Sequence, residues 1–456
     1  MTHTISTAQN NQTIPVVPIL KTTFSTWLEA QNGFLQAMVK HQQFGESAGQ
    51  FLVDYKASGE LARVYLLVDD DLNPYTMCHA FKALPKTDYH VECETEEITS
   101  AIILAWGFGS YQFDKYKEAT AMATLFIDAI KHQTELSVVN ATTLVRDLIN
   151  TPADDMGPTE LAEFAEKFAK KNHTTFSETV GDALLTEHFP SIHLVGRASH
   201  KAPRLIELNW GDEHKPKISL VGKGVCFDTG GNNMKSAEFM RWMKKDMGGG
   251  AHVLGLAQLI IDHQLPVCLQ VLIPTVENAV AGNAYRQGDV VQTRSGKTIE
   301  IGHTDAEGRV ILADALTYAS ESKPQLIIDF ATLTGAARVA MGPTVTPIFS
   351  NRKEVADAIF DSGQITHDEV WPLPLQQSYN KYIKSKIADI SNSGSIPQAG
   401  CITAALFLEH FVDAEISWVH IDTYGWNFGD RTGGIEGGEA LAMYAVFNWL
   451  KGKYPA

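Results

Sequence analysis

The 456-residue chain has only five cysteines, Cys78, Cys93, Cys226, Cys268 and Cys401, and no CxxC pair. An odd, scattered set argues against a disulfide framework or a structural zinc knuckle and for a reducing compartment. Positive charge is also short: 37 Lys and Arg face 53 Asp and Glu, a formal net charge of −16 with His neutral. That total argues against nucleic acid or an anionic membrane as partner, and the basic clusters Lys167–Lys171 and Lys381–Lys386 are short and interrupted. Long apolar runs are missing too. Stretches such as Ala101–Trp106 and Leu326–Ile328 fall far short of the roughly 20 residues a spanning helix needs. Met1–Val17 is polar and rich in Thr, Asn and Gln, without a basic stretch leading into an apolar core. The expectation is a soluble cytoplasmic protein.

With 44% hydrophobic residues, this length implies two or three packed domains rather than a disordered chain. In the first part, Arg63–Val68 reads as a buried strand, and Ala121–Ile130 carries apolar residues at helical spacing. Asn140–Ile149 reads as a helix that stops at Asn150-Thr151-Pro152, where Pro152, Gly157 and Pro158 mark a passage between domains. Beyond it, candidate strands (204–210, 217–222, 268–275, 325–330) alternate with candidate helices (159–171, 250–263, 307–320). Such alternation predicts an α/β domain whose mixed, largely parallel central sheet is covered by helices on both faces. The expected organisation is an N-terminal α/β assembly domain over 1–140, a linker over 141–158 and a larger α/β/α catalytic domain over 159–456.

Chemistry concentrates in the second part. An apolar strand runs into Gly222-Lys223-Gly224-Val225-Cys226-Phe227-Asp228-Thr229-Gly230-Gly231, which puts Lys223 and Asp228 at its C-terminal end, where α/β sheets hold ligands. A phosphate loop would need Ser or Thr after the lysine, and here a glycine follows. Lys235 and Asp246 lie downstream, then Asp305 and Glu307 with Arg309 beside them. Four carboxylates on loops after the strands of one sheet would repel one another if bare, and two divalent cations would resolve that repulsion. Oxygen ligands favour Mn, Mg, Zn or Co.

Several long stretches in this region, GKGVCFDTGG, WMKKDMGGGAHVLGLA (Trp242–Ala257), AYRQGDVVQTRSGKTIEI (Ala284–Ile301), HTDAEGR (His303–Arg309) and DFATLTGA (Asp329–Ala336), closely resemble the leucine aminopeptidase, or cytosol aminopeptidase, family of two-metal exopeptidases. The segments RDLINTPADDMGP (Arg146–Pro158) and GFGSYQFDKYK (Gly107–Lys117) extend the likeness from about residue 100 to the C-terminus. The resemblance implies that Lys223, Asp228, Asp246 and Glu307 hold one metal and Asp228, Asp305 and Glu307 the other, with Asp228 and Glu307 bridging. Lys235 matches the lysine that polarises the scissile carbonyl, and Arg309 the arginine that holds a bicarbonate acting as general base on a water bridging the two metals. Met243, Thr332 and Gly335 match the pocket for the first side chain, and Leu333 a backbone contact to substrate. The implied activity is release of the N-terminal residue of peptides, Leu or Met with broad tolerance. The implied assembly is a homohexamer, a dimer of trimers.

Some positions depart from the family pattern. Met234-Lys235-Ser236 stands where Ile-Lys-Pro is usual, so a looser loop is expected. His303 replaces a common Asn and is read as a hydrogen-bonding neighbour of the metal ligands. Gly250 replaces an alanine, and His420 and Asp422 are read as structural.

Overall fold

A computed structural model describes every residue except Met1, Thr2, Asn11, Asp430, Thr432, Gly433, Ile435 and Ala456. The chain divides into two units, Met1–Thr143 with Asn427–Glu436, and Leu144–Trp426 with Gly437–Ala456. No sequence signal marks the assignment of 427–436 to the first unit.

The first unit is built on a sheet of β1 (Ile5–Ser6), β2 (Ile14–Leu20), β3 (Phe51–Tyr55), β4 (Leu61–Val68), β5 (Asp88–Val91) and β6 (Thr124–Phe126), in the order β1-β6-β5-β2-β4-β3. All its pairings are parallel except β3 with β4. Helix α1 (Gly33–Gln42) packs Leu35 and Val39 into a core with Ile19, Leu52 and Leu67. Helix α2 (Glu96–Ser110) is buried along nearly its whole length, which accounts for the apolar stretch Ala101–Trp106. The helical spacing read in Ala121–Ile130 does not become a helix. Leu125 pairs with both Ile5 and Tyr89, and burial alternates from Ala123 to Leu125, so the local pattern yields to a strand slot open between β1 and β5.

Helix α3 (Gln133–Asn150) contains the helix expected at 140–149 and runs through the division between the units. The second unit continues with α4 (Pro158–Asn172) and the strands β7 (Thr175–Val180), β8 (Arg204–Trp210), β9 (Lys217–Gly222), β10 (Gly224–Asp228) and β11 (Cys268–Asn278). After β12 (Val290–Gln292) and β13 (Thr298–Glu300) come β14 (Leu326–Ala331), β15 (Thr346–Ser350), β16 (Val370–Pro372), β17 (Ile390–Ser391) and β18 (Ser417–Asp422). The main sheet runs β16-β15-β18-β14-β9-β11-β8-β7, with β10 added on β11. Its centre, β18-β14-β9-β11, is parallel, and β8 and β15 turn antiparallel on either side. The mixed, largely parallel sheet is therefore present. Strands β9, β14 and β18 are buried at almost every position, as helix cover on both faces requires. Helices α5 (Gly248–Asp262) and α6 (Glu307–Glu321) supply much of that cover, packing on β9, β11 and β14.

The passage at 146–150 is fixed inside the second unit by two polar contacts. Arg146 and Glu439 are both almost fully buried and form a forked pair, with Nη2 donating to Oε2 at 2.9 Å and Nε to Oε1 at 3.1 Å. Asn150 Oδ1 accepts from the backbone N–H of Gly438 at 2.8 Å. Removing one partner of a buried pair leaves an uncompensated charge, so Arg146→Met is expected to cost about 3–5 kcal/mol. Arg146→Met with Glu439→Gln should recover part of the loss. Thermal denaturation of the two variants checks this, and equal stability of Arg146→Met and the parent would refute it.

Candidate active site

The site begins where β9 becomes β10. Both pair with β11 in one register, Val221 opposite Leu272 and Gly224 opposite Thr275. The other edge of β9 loses β14 after Gly222, which pairs with Phe330. Lys223 sits at this fork. Its N–H donates to Phe330 O at 3.0 Å, and its carbonyl accepts from the N–H of Gly250 at 2.8 Å, at the start of α5. Only glycine permits so close an approach, because a Cβ at Gly249 would stand 2.1 Å from Phe330 O and 2.7 Å from Lys223 N.

A bulge between Val225 and Phe227 then shifts the ladder, leaving Val225 opposite Val276 and Asp228 opposite Asn278. Residues paired across a ladder share a face, so the bulge brings Asp228 onto the same face as Val225 and Lys223, which strict alternation would forbid. Asn278 also serves this carboxylate directly. Its Nδ2 donates to Asp228 Oδ1 at 2.8 Å, as does the N–H of Gly230.

The remaining acidic groups arrive from three other places. Asp246 lies in a 3-10 turn, Met243–Met247, that leads into α5, and its Oδ1 accepts from Thr332 Oγ1 at 2.7 Å. Asp305 sits in a turn, and Glu307 is the first residue of α6. Their carboxylates nevertheless converge, for one oxygen each of Asp228, Asp305 and Glu307 lies within 4.8 Å of the others. Lys223 Nζ stands 2.8 Å from both Asp246 Oδ2 and Glu307 Oε1, and Lys235 Nζ is 2.7 Å from Asp228 Oδ2 and also contacts Asp305 Oδ1.

Two ammonium groups thus face four carboxylates, leaving two negative charges unmatched in a largely buried site. Burial alone would lower the pKa of Lys223, but Asp246, Glu307 and Asp228 outweigh it and hold it above the ordinary lysine value. Lys235 is raised for the same reason, burial being overcome chiefly by Asp228 and Glu307. Asp305 carries the excess: burial, with Asp228 and Glu307 nearby, pushes it up to about 7 against the pull of Lys235. Glu307 Oε2 is buried with no hydrogen-bond partner among the described residues. An unmet carboxylate oxygen within an all-oxygen cluster flanked by a buried lysine suits hard or borderline divalent cations.

These groups line a cavity of about 660 Å³. Met243, Thr332, Leu333 and Gly335 line it as well, beside Met234, Phe239 and Trp242. The loop carrying Lys235 lacks the proline but is not left untethered. Asn233 N donates to Thr304 Oγ1 and Thr304 N to Asn233 Oδ1, both at 2.8 Å, while Asn232 Nδ2 reaches Tyr285 O at 3.0 Å. His303 lines the cavity, and its Nδ1 accepts from the N–H of Asp305 at 3.2 Å. Arg309 is not among the lining residues. Its Nη1 donates to Asn392 O at 2.8 Å, its Nε is buried without a hydrogen-bond partner among the described residues, and burial brings it down to about 10.

Asp422, on β18 and read as structural, accepts from Leu333 N, Thr334 N and Thr334 Oγ1 and so shapes the loop that borders the cavity. Sequence reasoning missed other contributors. Asn278 carries no motif, and only its register opposite Asp228 reveals it. Lys245 and Tyr424 line the cavity too, and the one hint was a second lysine immediately before Asp246. His420, by contrast, is spent inside the sheet, with Nδ1 2.6 Å from Asp329 Oδ1.

The family model for the catalytic domain of the cytosol aminopeptidase family matches residues 143–444, and the model for the M17 aminopeptidase N-terminal domain matches 14–128. The chain belongs to the cytosol aminopeptidase family. It is therefore an aminopeptidase, a hydrolase, with the two-domain α/β fold of that family. A "probable cytosol aminopeptidase" of Syntrophotalea carbinolica is 44% identical over 284 residues, 62% of this chain and 57% of that protein. One of Chlorobium limicola is 34% identical over 90% of each chain. Among solved structures, the cytosol aminopeptidase from Coxiella burnetii is 45% identical, covers 99% of both chains and superposes with a TM-score of 0.94. The bottromycin maturation enzyme BotP in complex with Mn is 28% identical over 97% of this chain and 99% of its own, with a TM-score of 0.86.

Gly308 tests the packing at the centre of the site. A Cβ there would fall 2.5 Å from Lys223 Cε and 2.7 Å from Nζ, so Gly308→Ala must displace the lysine. Metal affinity is expected to fall roughly tenfold or more, by analogy with the loss of groups that orient ligands. Calorimetric titration with Mn²⁺ reads this directly, and an unchanged isotherm would rule the packing argument out.

Proposed function

We propose that the protein removes the N-terminal residue of peptides with two divalent metal ions held by Lys223, Asp228, Asp246, Asp305 and Glu307. The observation that carries this reading is the convergence of Asp228, Asp305 and Glu307, with an unpartnered Glu307 oxygen, on the wall of a cavity large enough for a peptide end. Manganese is the first ion to try, since the related BotP is solved with Mn, and zinc, magnesium and cobalt suit the same oxygens. Bound there, two such ions would supply Lewis acidity toward the scissile carbonyl and lower the pKa of water at the site.

The chain's own groups do the rest. Lys235 projects a charged ammonium beside Asp228 and Asp305 and donates to the carbonyl oxygen as negative charge develops on it, where stabilisation counts most. Lys223 neutralises Asp246 and Glu307 here and would give up its proton to serve as a metal ligand. Arg309 would hold a bicarbonate that accepts the proton from water, and its unpartnered Nε is a donor that such an anion would satisfy. Met243, Thr332 and Gly335 would receive the first side chain, and the adaptable thioether favours Leu or Met with broad tolerance. Leu333 would meet the substrate through its backbone. The enzyme would work in the cytoplasm as a homohexamer, a dimer of trimers. No helix of the described residues is long and apolar enough to cross a membrane.

Stripping the protein with a chelator should abolish release of leucine from a chromogenic leucine amide, and Mn²⁺ should restore it; activity indifferent to chelation would end this reading. Lys235→Ala should lower kcat by about 10²–10³-fold, the range for loss of one oxyanion donor, with metal content unchanged by elemental analysis. Full turnover in that variant would remove Lys235 from its assigned role.

A further inference from the structure

The cavity wall holds two cations that the metal site does not use. Lys245 is almost fully buried yet lines the cavity, and its ammonium lies 4.7 Å from the centroid of the Tyr424 ring. Arg338, one turn into the helix Gly335–Met341, also lines the cavity, with its guanidinium 5.3 Å from the same ring. Among the described residues no carboxylate lies within ion-pairing distance of either, although the cluster is next door. Asp246, the immediate neighbour of Lys245, is already engaged by Lys223 and Thr332. An aromatic face replaces only part of the hydration a buried ammonium loses, so Lys245 remains short of an anionic partner. Its position is also specific. Lys245 follows Met243 by two residues and Arg338 follows Gly335 by three, so the cations flank the residues proposed to receive the first side chain.

We propose that Lys245 and Arg338, over the Tyr424 ring, form a subsite for a substrate carboxylate. The cavity wall then offers apolar residues, Met243, Phe239 and Trp242, and the two cations, and acidic substrates are taken by the cations. This rests on the aminopeptidase reading and extends its substrate range. The carboxylate can come from the side chain of an N-terminal Glu or Asp, or from the C-terminus of a dipeptide, whose second residue ends close to the cleaved bond.

The test uses the Mn-loaded enzyme and two matched pairs, each differing only in the acidic group: the p-nitroanilides of Glu and Gln, which have no C-terminal carboxylate, and Leu-Gly with Leu-Gly-amide. The parent should prefer the acidic member of at least one pair by about tenfold in kcat/KM, since a site built around a charge discriminates against its neutral isostere. Preference within the first pair alone assigns the side chain, and within the second alone the C-terminus. In Lys245→Met, of similar length, and in Arg338→Gln, the preference should fall toward parity. Because each readout is a ratio, a general loss of activity cancels, and either variant suffices if the other fails to fold. Ratios within about twofold of one in the parent, or a preference that persists in both variants, would overturn the subsite while leaving the aminopeptidase reading intact. If none of the four substrates turns over, that reading fails by itself. Calorimetric binding of free glutamate against glutamine then decides the subsite independently: tighter binding of glutamate that Lys245→Met abolishes supports it, and equal binding refutes it.

Discussion

Four carboxylates and two lysines share one largely buried site, and much of the second unit follows from holding them there. Like charges in a low-dielectric interior must be matched by counter-charges, protons or metal ions. Lys223 and Lys235 supply part of the match, and the elevated Asp305 shows what remains. Groups under that mutual strain need rigid supports. They have the end of a central strand, the glycine-rich start of one helix and the first turn of another, all anchored in the most buried part of the sheet.

Close approach is the recurring device. Gly249 lets α5 abut Phe330 and Lys223, and Gly308 leaves room for the lysine's own ammonium end. Neither glycine needs a left-handed backbone; each is required for the space a methyl group would occupy. The loop bearing Lys235 follows another route, since hydrogen bonds from Asn232 and Asn233 supply the restraint that a proline would otherwise provide.

How much of this could be read in advance depended on whether the signal was local. The strands at 204–210 and 217–222 and the helix beginning at Glu307 followed from apolar runs and turn residues, and the central parallel strand at 217–222, buried on both faces, shows it in composition. The acidic cluster was legible because its residues sit in dense, glycine-punctuated motifs. Ala121–Ile130 misled because three residues filling a gap between two strands carry too little pattern to outweigh their neighbours. Asn278 was silent, and Asp422 was legible only as structural, for a different reason: their roles arise only when register places β11 against β10, or β18 beside the loop at 332–334. Strand pairing is a long-range property, and residues whose function depends on it leave no mark in their own vicinity.

The bulge at Val225–Phe227 has a consequence for how this enzyme can change over evolutionary time. Lys223 and Asp228 are separated by an odd step, which on a regular strand would send them to opposite sides of the sheet; the bulge corrects the parity. The spacing between the two residues and the irregularity between them are therefore inherited as one unit. Regularising the strand at its present length would leave each residue chemically intact and point Asp228 into the opposite layer. Substitutions within 224–227 can accumulate under ordinary packing constraints, whereas loss of the bulge must be matched by loss of one residue if Asp228 is to keep its face.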